Sequence, residues 1–312
     1  MRTTGFCAQA VLLLVACLIS AALRAEPVTL THVHGLAYSA DGKRLIVPSH
    51  DGLAVFEGGR WSKEPGPPHD YMGFSAAGRS IYSSGHPAPG SGMANPFGLV
   101  RSTDGGKTWQ SLGLHGESDF HLLATSWNAG AIYVWNPAPN SRMGRPGLHY
   151  TLNEGLAWQM AEGSGLEGDP RALAVHPDKP ALVAMATSSG VFESVDSGKS
   201  FTRIAGSQGT AVFYDLDGKH LWFGIFDGRA RLSRSRLRGG PLAWINLPVL
   251  ERDAVAYVAQ NPASRAEYAI ATFARSVYVS KDAGRGWSQI AERGVARVKM
   301  TRALPSQQGA TQ

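Results

Sequence analysis

Small and apolar residues recur along the chain in short runs bounded by turn formers: Gly35–Tyr38, Arg44–Val47, Ala131–Val134, Ala172–Val175, Ala254–Tyr257 and Tyr268–Ala271. Turn sequences such as Ala40–Gly42 and Asp215–Gly218 separate them. Runs this short, with Gly and Asp between them, predict β-strands joined by tight hairpins rather than helices. A single longer apolar stretch, Ala8 to Leu23, stands apart from this pattern at the start of the chain.

The strand pattern is periodic. Ser102 to Trp109 reads STDGGKTW, and it returns as SVDSGKSF from Ser194 to Phe201 and as SKDAGRGW from Ser280 to Trp287. A worn copy, TLNEGLAW, runs from Thr151 to Trp158, and two further units keep only the aromatic end, at Trp61 and Trp244. The aromatic positions 61, 109, 158, 201, 244 and 287 are spaced 48, 49, 43, 43 and 43 residues apart. Units of that length hold four short strands, which is the period of a propeller blade. The expectation is an all-β, six-bladed β-propeller. Seven blades are the alternative, if Val28–Thr31 and Val295–Met300 built a blade of their own; otherwise those segments close the ring by completing a shared blade.

The repeated turn has a physical reading. Its Asp accepts hydrogen bonds from amides of its own loop, as Asx turns do. The Gly two residues later takes a positive φ that other residues resist, and the aromatic residue packs against the blade. These Asp residues are expected to stabilise turns. The motif S/T-x-D-x-G-x-x-W/F resembles the Asp-box, or BNR repeat, of sialidase-like propellers, and the resemblance spans Thr31 to about Arg293. A looser similarity is to the propeller assembly factors of photosystem II. The pattern His32-x-His34-Gly-Leu-Ala, Ser49-His50-Asp51-Gly, Gly85-His86-Pro87 and Asp119-Phe-His121 is most like small secreted bacterial BNR proteins described as glycosyl-hydrolase-like. The resemblance implies a glycoside hydrolase or a binding propeller. It does not extend to a classical sialidase, because the Arg-Ile-Pro signature and the arginine triad of that family are not evident.

Composition narrows the class. Charged residues are 17% and Gly is 37 of 312, against about 25% and 7% in an average domain, which excludes disorder and coiled coil. The formal charge is +6, but the basic residues are scattered, the densest stretch being the five arginines between Arg229 and Arg238. Nucleic-acid binding needs a clustered basic face and is not expected. Met1 to Ala25, with Arg2 and the apolar run, reads as a secretory signal peptide, which predicts a periplasmic or secreted protein. The minor alternative is a lipoprotein anchored at Cys17. Both cysteines, Cys7 and Cys17, lie in that segment, so the mature chain is expected to have no disulfide, a charge of +4 and no transmembrane span. Residues 26–300 are assigned to one propeller domain, expected to be monomeric, and 301–312 to a flexible tail.

The site follows from the assumed fold. In a propeller, the loops entering first strands and leaving second strands open at one mouth of the central channel, and the Asp turns lie on the opposite face. The residues just before the six first strands are His34, Met72, His121, Arg171, Thr210 and Asp253. Two residues earlier stand His32, Asp70, Asp119, Asp169, Gln208 and Glu251; second-strand ends add His50, Asp51, His86 and Asp227. Side chains two apart on a strand point the same way. Six of the ten histidines, with His69 the sixth beside His32, His34, His50, His86 and His121, fall in these loops.

Two chemistries are open. Neutral imidazoles with a Met suit a transition metal, copper or zinc, on His32, His34, His50, His86, His121 and Met72. The polar mouth could instead simply face water. Carboxylates from Asp70, Asp119 and Asp253, with Arg171, would be the catalytic candidates of a glycoside hydrolase. The loops Pro87–Pro96 and Pro137–Pro146, long for a compact fold, are candidates for lids or for contacts with a protein or glycan partner on the same face. The remaining histidines, His115, His149, His176 and His220, read as surface residues.

Overall fold

The computed structural model describes residues 28–237, 242–248 and 250–297; the expected signal peptide and tail lie outside them. All its regular elements are strands, arranged as six small antiparallel sheets in a ring. Each blade is a contiguous stretch of chain whose strands run in sequence order from the channel outwards. Blade one comprises Ala37–Tyr38, Arg44–Ser49, Gly52–Glu57 and Arg60–Lys63. Blade two comprises Asp70–Ala77, Ser80–His86, Leu99–Ser102 and Gln110–Gly113, and blade three Leu123–Thr125, Ile132–Asn136, Gly147–Thr151 and Gln159–Met160. Blade four has Pro170–Val175, Val183–Thr187, Gly190–Ser194 and Thr202–Ala205. Blade five has Gln208–Tyr214, His220–Phe226 and Ala230–Arg236, with Trp244 bridging to Ser233 where a fourth strand would lie.

Blade six closes the ring. Beyond Val255–Gln260, Tyr268–Thr272, Val277–Ser280 and Ser288–Glu292 it carries a fifth strand, Val295–Ala296. Thr29 pairs antiparallel with Val295, and the Leu30 amide donates to the Gly294 carbonyl. The first described residues thus hang on the outer edge of the last blade and then enter blade one. The described parts of the two terminal segments complete a shared blade and do not make a seventh; residues 298–300 lie outside the described residues.

The core is divided among the blade interfaces. Six apolar clusters each draw residues from two neighbouring blades; Ile46, Leu53 and Val55 of blade one, for example, meet Tyr71, Phe74 and Phe97 of blade two. The repeated aromatic residue packs against its own blade, as expected, and also belongs to these interfaces. Trp109 stacks on Tyr71 at 4.7 Å and joins the cluster between blades one and two. Phe201 is buried between blades three and four, and Trp287 packs between five and six. Trp244 is the exception: it is 46% exposed, and the Arg231 guanidinium lies over its ring.

The Asp turn has the expected amide bonds and a second centre. In blade two the Asp104 carboxylate accepts the Lys107 and Thr108 amides and the Thr108 hydroxyl. The buried Ser102 hydroxyl donates to Asp104 and accepts the Gly106 amide, both at 2.8 Å. Blades four and six repeat the pattern through Ser194/Asp196 and Ser280/Asp282, and blade three through Thr151/Asn153. Gly106 sits at φ 95°, and a Cβ there would lie 2.2 Å from Leu53 Cδ1.

The first strands of all six blades enclose a central channel with a cavity of about 140 Å³. They run in the same direction, so their starting residues share one end, the mouth. The Asp turns lie at the opposite end, the base.

Candidate functional site: a histidine and carboxylate cluster at the channel mouth

Close backbone approaches assemble the mouth. His34 is set by its amide, which donates to the Pro48 carbonyl, and by Gly35, where a Cβ would meet Phe74 Cβ at 2.7 Å. The Gly52 amide donates to the His69 carbonyl, bringing the turn that carries His50 against the start of blade two. The Phe120 amide donates to the buried Ser84 hydroxyl at 3.0 Å. A Cβ on Gly73 would sit 1.9 Å from the Phe120 carbonyl oxygen, so glycine is needed for the segment Asp119–His121 to lie against blade two.

His32, His34 and His50 form one cluster. The rings of His32 and His50 stack at 4.6 Å, and His34 meets both edge-on at 5.0 and 4.9 Å. One nitrogen from each ring falls within a set whose members all lie within 4.8 Å of one another. His50 Nδ1 donates to Asp70 Oδ2 at 2.6 Å. Asp70 Oδ1 faces His34 Nε2 at 3.5 Å, and both atoms are buried without a hydrogen-bond partner. Burial is the main force that lowers the His34 pKa to about 4; Asp70 opposes it, and His32, His50 and His121 add to it. His34 is therefore a neutral imidazole at physiological pH.

A second group surrounds Asp119. His121 Nε2 lies 2.7 Å and His86 Nε2 3.1 Å from the same oxygen, Asp119 Oδ2. Asp119 Oδ1 is buried and unpaired. The other nitrogen of His86 donates to Asn95 Oδ1 at 2.7 Å, tying the Pro87–Pro96 loop to the site. The hydrogen bond that His121 donates to Asp119 raises the His121 pKa against the effect of burial, and Asp70 contributes to the same rise. The two groups therefore feel each other across blade two.

The structure does not gather every candidate. Met72 is buried in blade two, its carbonyl accepting the Ser83 hydroxyl. Asp253 Oδ1 accepts the Ala254 and Ala274 amides and so ties its own loop to the turn after Tyr268–Thr272. Arg171 lines the channel with His34 and His121 and is exposed. His69 turns inward, packs on Tyr71 and Phe97, and accepts the Ala88 amide. Two histidines expected at the surface are buried: His149 is 4% and His176 2% exposed. His176 caps a turn, taking the Asp178 and Lys179 amides on Nδ1 and donating from Nε2 to the Gly218 carbonyl. The two long loops also differ. Met93 in the first is 45% exposed, whereas Met143 in the second is 2% exposed and packs between blades two and three.

One arrangement escaped sequence reasoning. Asp215, on a base-side turn, is fully buried and accepts the Trp222 indole N–H, the Tyr268 hydroxyl and two guanidinium N–H groups of Arg234. With Asp217 and His220 it makes a second group of metal-ligand type, but Arg234 already neutralises it. Its role is structural.

No protein-family profile and no curated protein matches the sequence. Solved structures with the same fold include a GH74 enzyme of Niastella koreensis, 15% identical, with a TM-score of 0.58 over 86% of this chain and 46% of that one. A nidogen/laminin complex aligns at 10% identity and TM-score 0.56, over 78% and 91%. YCF48 bound to D1 peptide aligns at 17% identity and TM-score 0.48, over 84% and 81%. The chain spans less than half the length of the GH74 structure. At these identities the first two likenesses establish the propeller fold and nothing finer, and the sialidase-like resemblance remains one of the repeated turn.

Proposed function

We propose that this chain is an exported, metal-binding propeller that holds a divalent transition ion, copper or zinc, on His32, His34 and His50, and that the same face serves a protein or glycan partner. The observation that carries this reading is the approach of three imidazole nitrogens, one from each ring, to within 4.8 Å of one another, with His34 Nε2 buried and without a partner. Around a tetrahedral ion, imidazole nitrogens about 2.0–2.1 Å from the metal stand roughly 3.4 Å apart, so small ring movements suffice. The bond from His50 Nδ1 to Asp70 leaves His50 Nε2 as the donor, the carboxylate–histidine–metal arrangement that orients ligands in known sites. Three imidazoles without a thiolate suit Cu²⁺ or Zn²⁺.

The test is calorimetric titration of metal-stripped protein with Zn²⁺ and with Cu²⁺. Saturable binding that drops by one equivalent in the His34→Ala and His50→Ala variants is expected. Wild-type protein that binds neither ion, or variants that bind as it does, would overturn the reading.

A second reading, hydrolysis of a glycosidic bond, is favoured by one observation: Asp70 and Asp119 each present a buried, unpaired carboxylate oxygen at the mouth. It requires aryl-glycoside turnover by the purified protein that is lost in both Asp70→Asn and Asp119→Asn. Turnover surviving those changes would remove these carboxylates from the chemistry.

A further inference from the structure

We infer that the mouth holds a second metal site, separate from the three-histidine cluster, in which His86 Nε2, His121 Nε2 and Asp119 Oδ2 take a second divalent ion. This deepens the reading above and rests on different side chains.

The central donor is His86. Its Nδ1 faces an amide oxygen, Asn95 Oδ1, at 2.7 Å, so Nδ1 carries a hydrogen. In the neutral ring, Nε2 is then a bare lone pair. That nitrogen lies 3.1 Å from a carboxylate oxygen, Asp119 Oδ2, without the alignment of a hydrogen bond. Two lone pairs at that separation repel unless a proton or a metal cation sits between them. His121 brings a third donor to the same point, its Nε2 2.7 Å from the same oxygen. The His121 side chain is 63% exposed, so its proton can move to Nδ1 and face water when Nε2 ligates. The two N···O separations, 2.7 and 3.1 Å, are short enough for neighbouring ligands of a zinc ion bound at about 2.0–2.2 Å, but the two imidazoles stand more than 4.8 Å apart and must draw together about Asp119 to hold it.

Counting donors separates this site from the first. The mouth presents five imidazoles and two carboxylates, more than the four positions of a tetrahedral ion. They divide by geometry: Asp70 is bonded to His50 and faces His34, whereas Asp119 meets His86 and His121. Each carboxylate also keeps one buried oxygen, Oδ1, without a hydrogen-bond partner. With three protein donors, the second ion has a fourth position open to water or to a ligand entering the channel, as catalytic zinc sites do.

The experiment measures bound zinc per chain by mass spectrometry after metal-stripped full-length protein is loaded with Zn²⁺ at pH 7.5 and freed of excess. Two equivalents are expected for the wild type. The double variants His86→Ala/His121→Ala and His32→Ala/His34→Ala should each retain one, and the quadruple variant none. Asp119→Asn, nearly isosteric, is the companion if the alanine pair fails to fold, and it too should retain one. A single wild-type equivalent that survives loss of His86 and His121 overturns this inference and leaves the first site standing. A single equivalent lost in both double variants also overturns it, because one shared site would then use both groups. No bound metal after Zn²⁺ loading, nor after the same procedure with Cu²⁺, removes both.

Discussion

Aspartates at the two ends of the channel are in opposite states. At the base, Asp104, Asp196 and Asp282 take hydrogen bonds from their own loops, and Asp215 takes four from Trp222, Tyr268 and Arg234. At the mouth, Asp70 and Asp119 face imidazoles from neighbouring loops, and each keeps one buried oxygen without a partner. Since a buried polar atom costs free energy unless it is paired, the base carboxylates are set for stability. The mouth carboxylates are held in a state that a bound cation would complete. If this contrast is correct, the same class of substitution should have opposite consequences at the two ends.

The largest effect is expected at Asp215. Changing it to Ala leaves a half-buried guanidinium, an indole N–H and a phenol without their acceptor. Breaking a buried pair on one side costs about 3–5 kcal/mol. A urea titration should show the midpoint falling with little change in slope. A loss below about 1 kcal/mol would mean that the network is dispensable and that the contrast overstates the base.

At the mouth the balance should invert. Asp70→Asn removes a carboxylate with an unpaired oxygen, so the same urea titration should move by less than about 1 kcal/mol in either direction. Zinc affinity should fall roughly 10–100-fold, the usual cost of losing a carboxylate that orients a ligating histidine. A large stability loss with unchanged affinity would make Asp70 structural and abolish the distinction between the two ends.

A smaller effect belongs to the hub of the Asp turn. Ser102→Ala strips the buried Gly106 amide of its acceptor, which costs about 1–3 kcal/mol. Thermal unfolding of this variant, compared with Thr108→Ala at the exposed rim of the same turn, should show the larger drop for Ser102. Equal drops would locate the strength of the turn in the Asp and not in the serine.

What the sequence made legible follows from what repeats. The aromatic residues at 43–49 residue spacing reported the blades because every blade must supply an aromatic or a substitute to an interface. Propeller topology then placed His32, His34, His50, His86 and His121 at one mouth, because first strands start and second strands end there. The partnerships were not legible. That His50 bonds Asp70 while Asp119 sits between His86 and His121 depends on how neighbouring blades are offset, fixed by approaches such as Gly73 to Phe120 that leave no local pattern. Asp253 occupied a ring position in the alignment, yet its carboxylate accepts backbone amides of its own loop and of the neighbouring turn of blade six. The burial of His149 and His176 was invisible for the same reason, since neighbours distant in sequence decide it.

The smallest and most distributed effect is the response to acid at the base. Burial pulls Asp104 upward, but the Thr108 hydroxyl and amide, the Ser102 hydroxyl and the Lys107 amide outweigh it and hold its pKa at about 2. Asp196 is likewise held at about 2, chiefly by the Ser200 hydroxyl and amide, and Asp282 is lowered by the Gly286 amide and the Ser280 hydroxyl. These folded values lie below the unfolded value of about 3.9. The stabilisation is therefore fully present above about pH 4 and is lost as pH falls towards 2, because the unfolded chain binds protons first. Thermal midpoints of Asp104→Asn and Asp196→Asn should sit below the wild type at pH 6 and converge on it between about pH 4 and 2. Midpoints that stay parallel through that window would show that the carboxylate charge contributes nothing to the turn. The base would then owe its order to the serine hub and the glycine, and the two ends of the channel would differ in hydrogen bonding but not in charge.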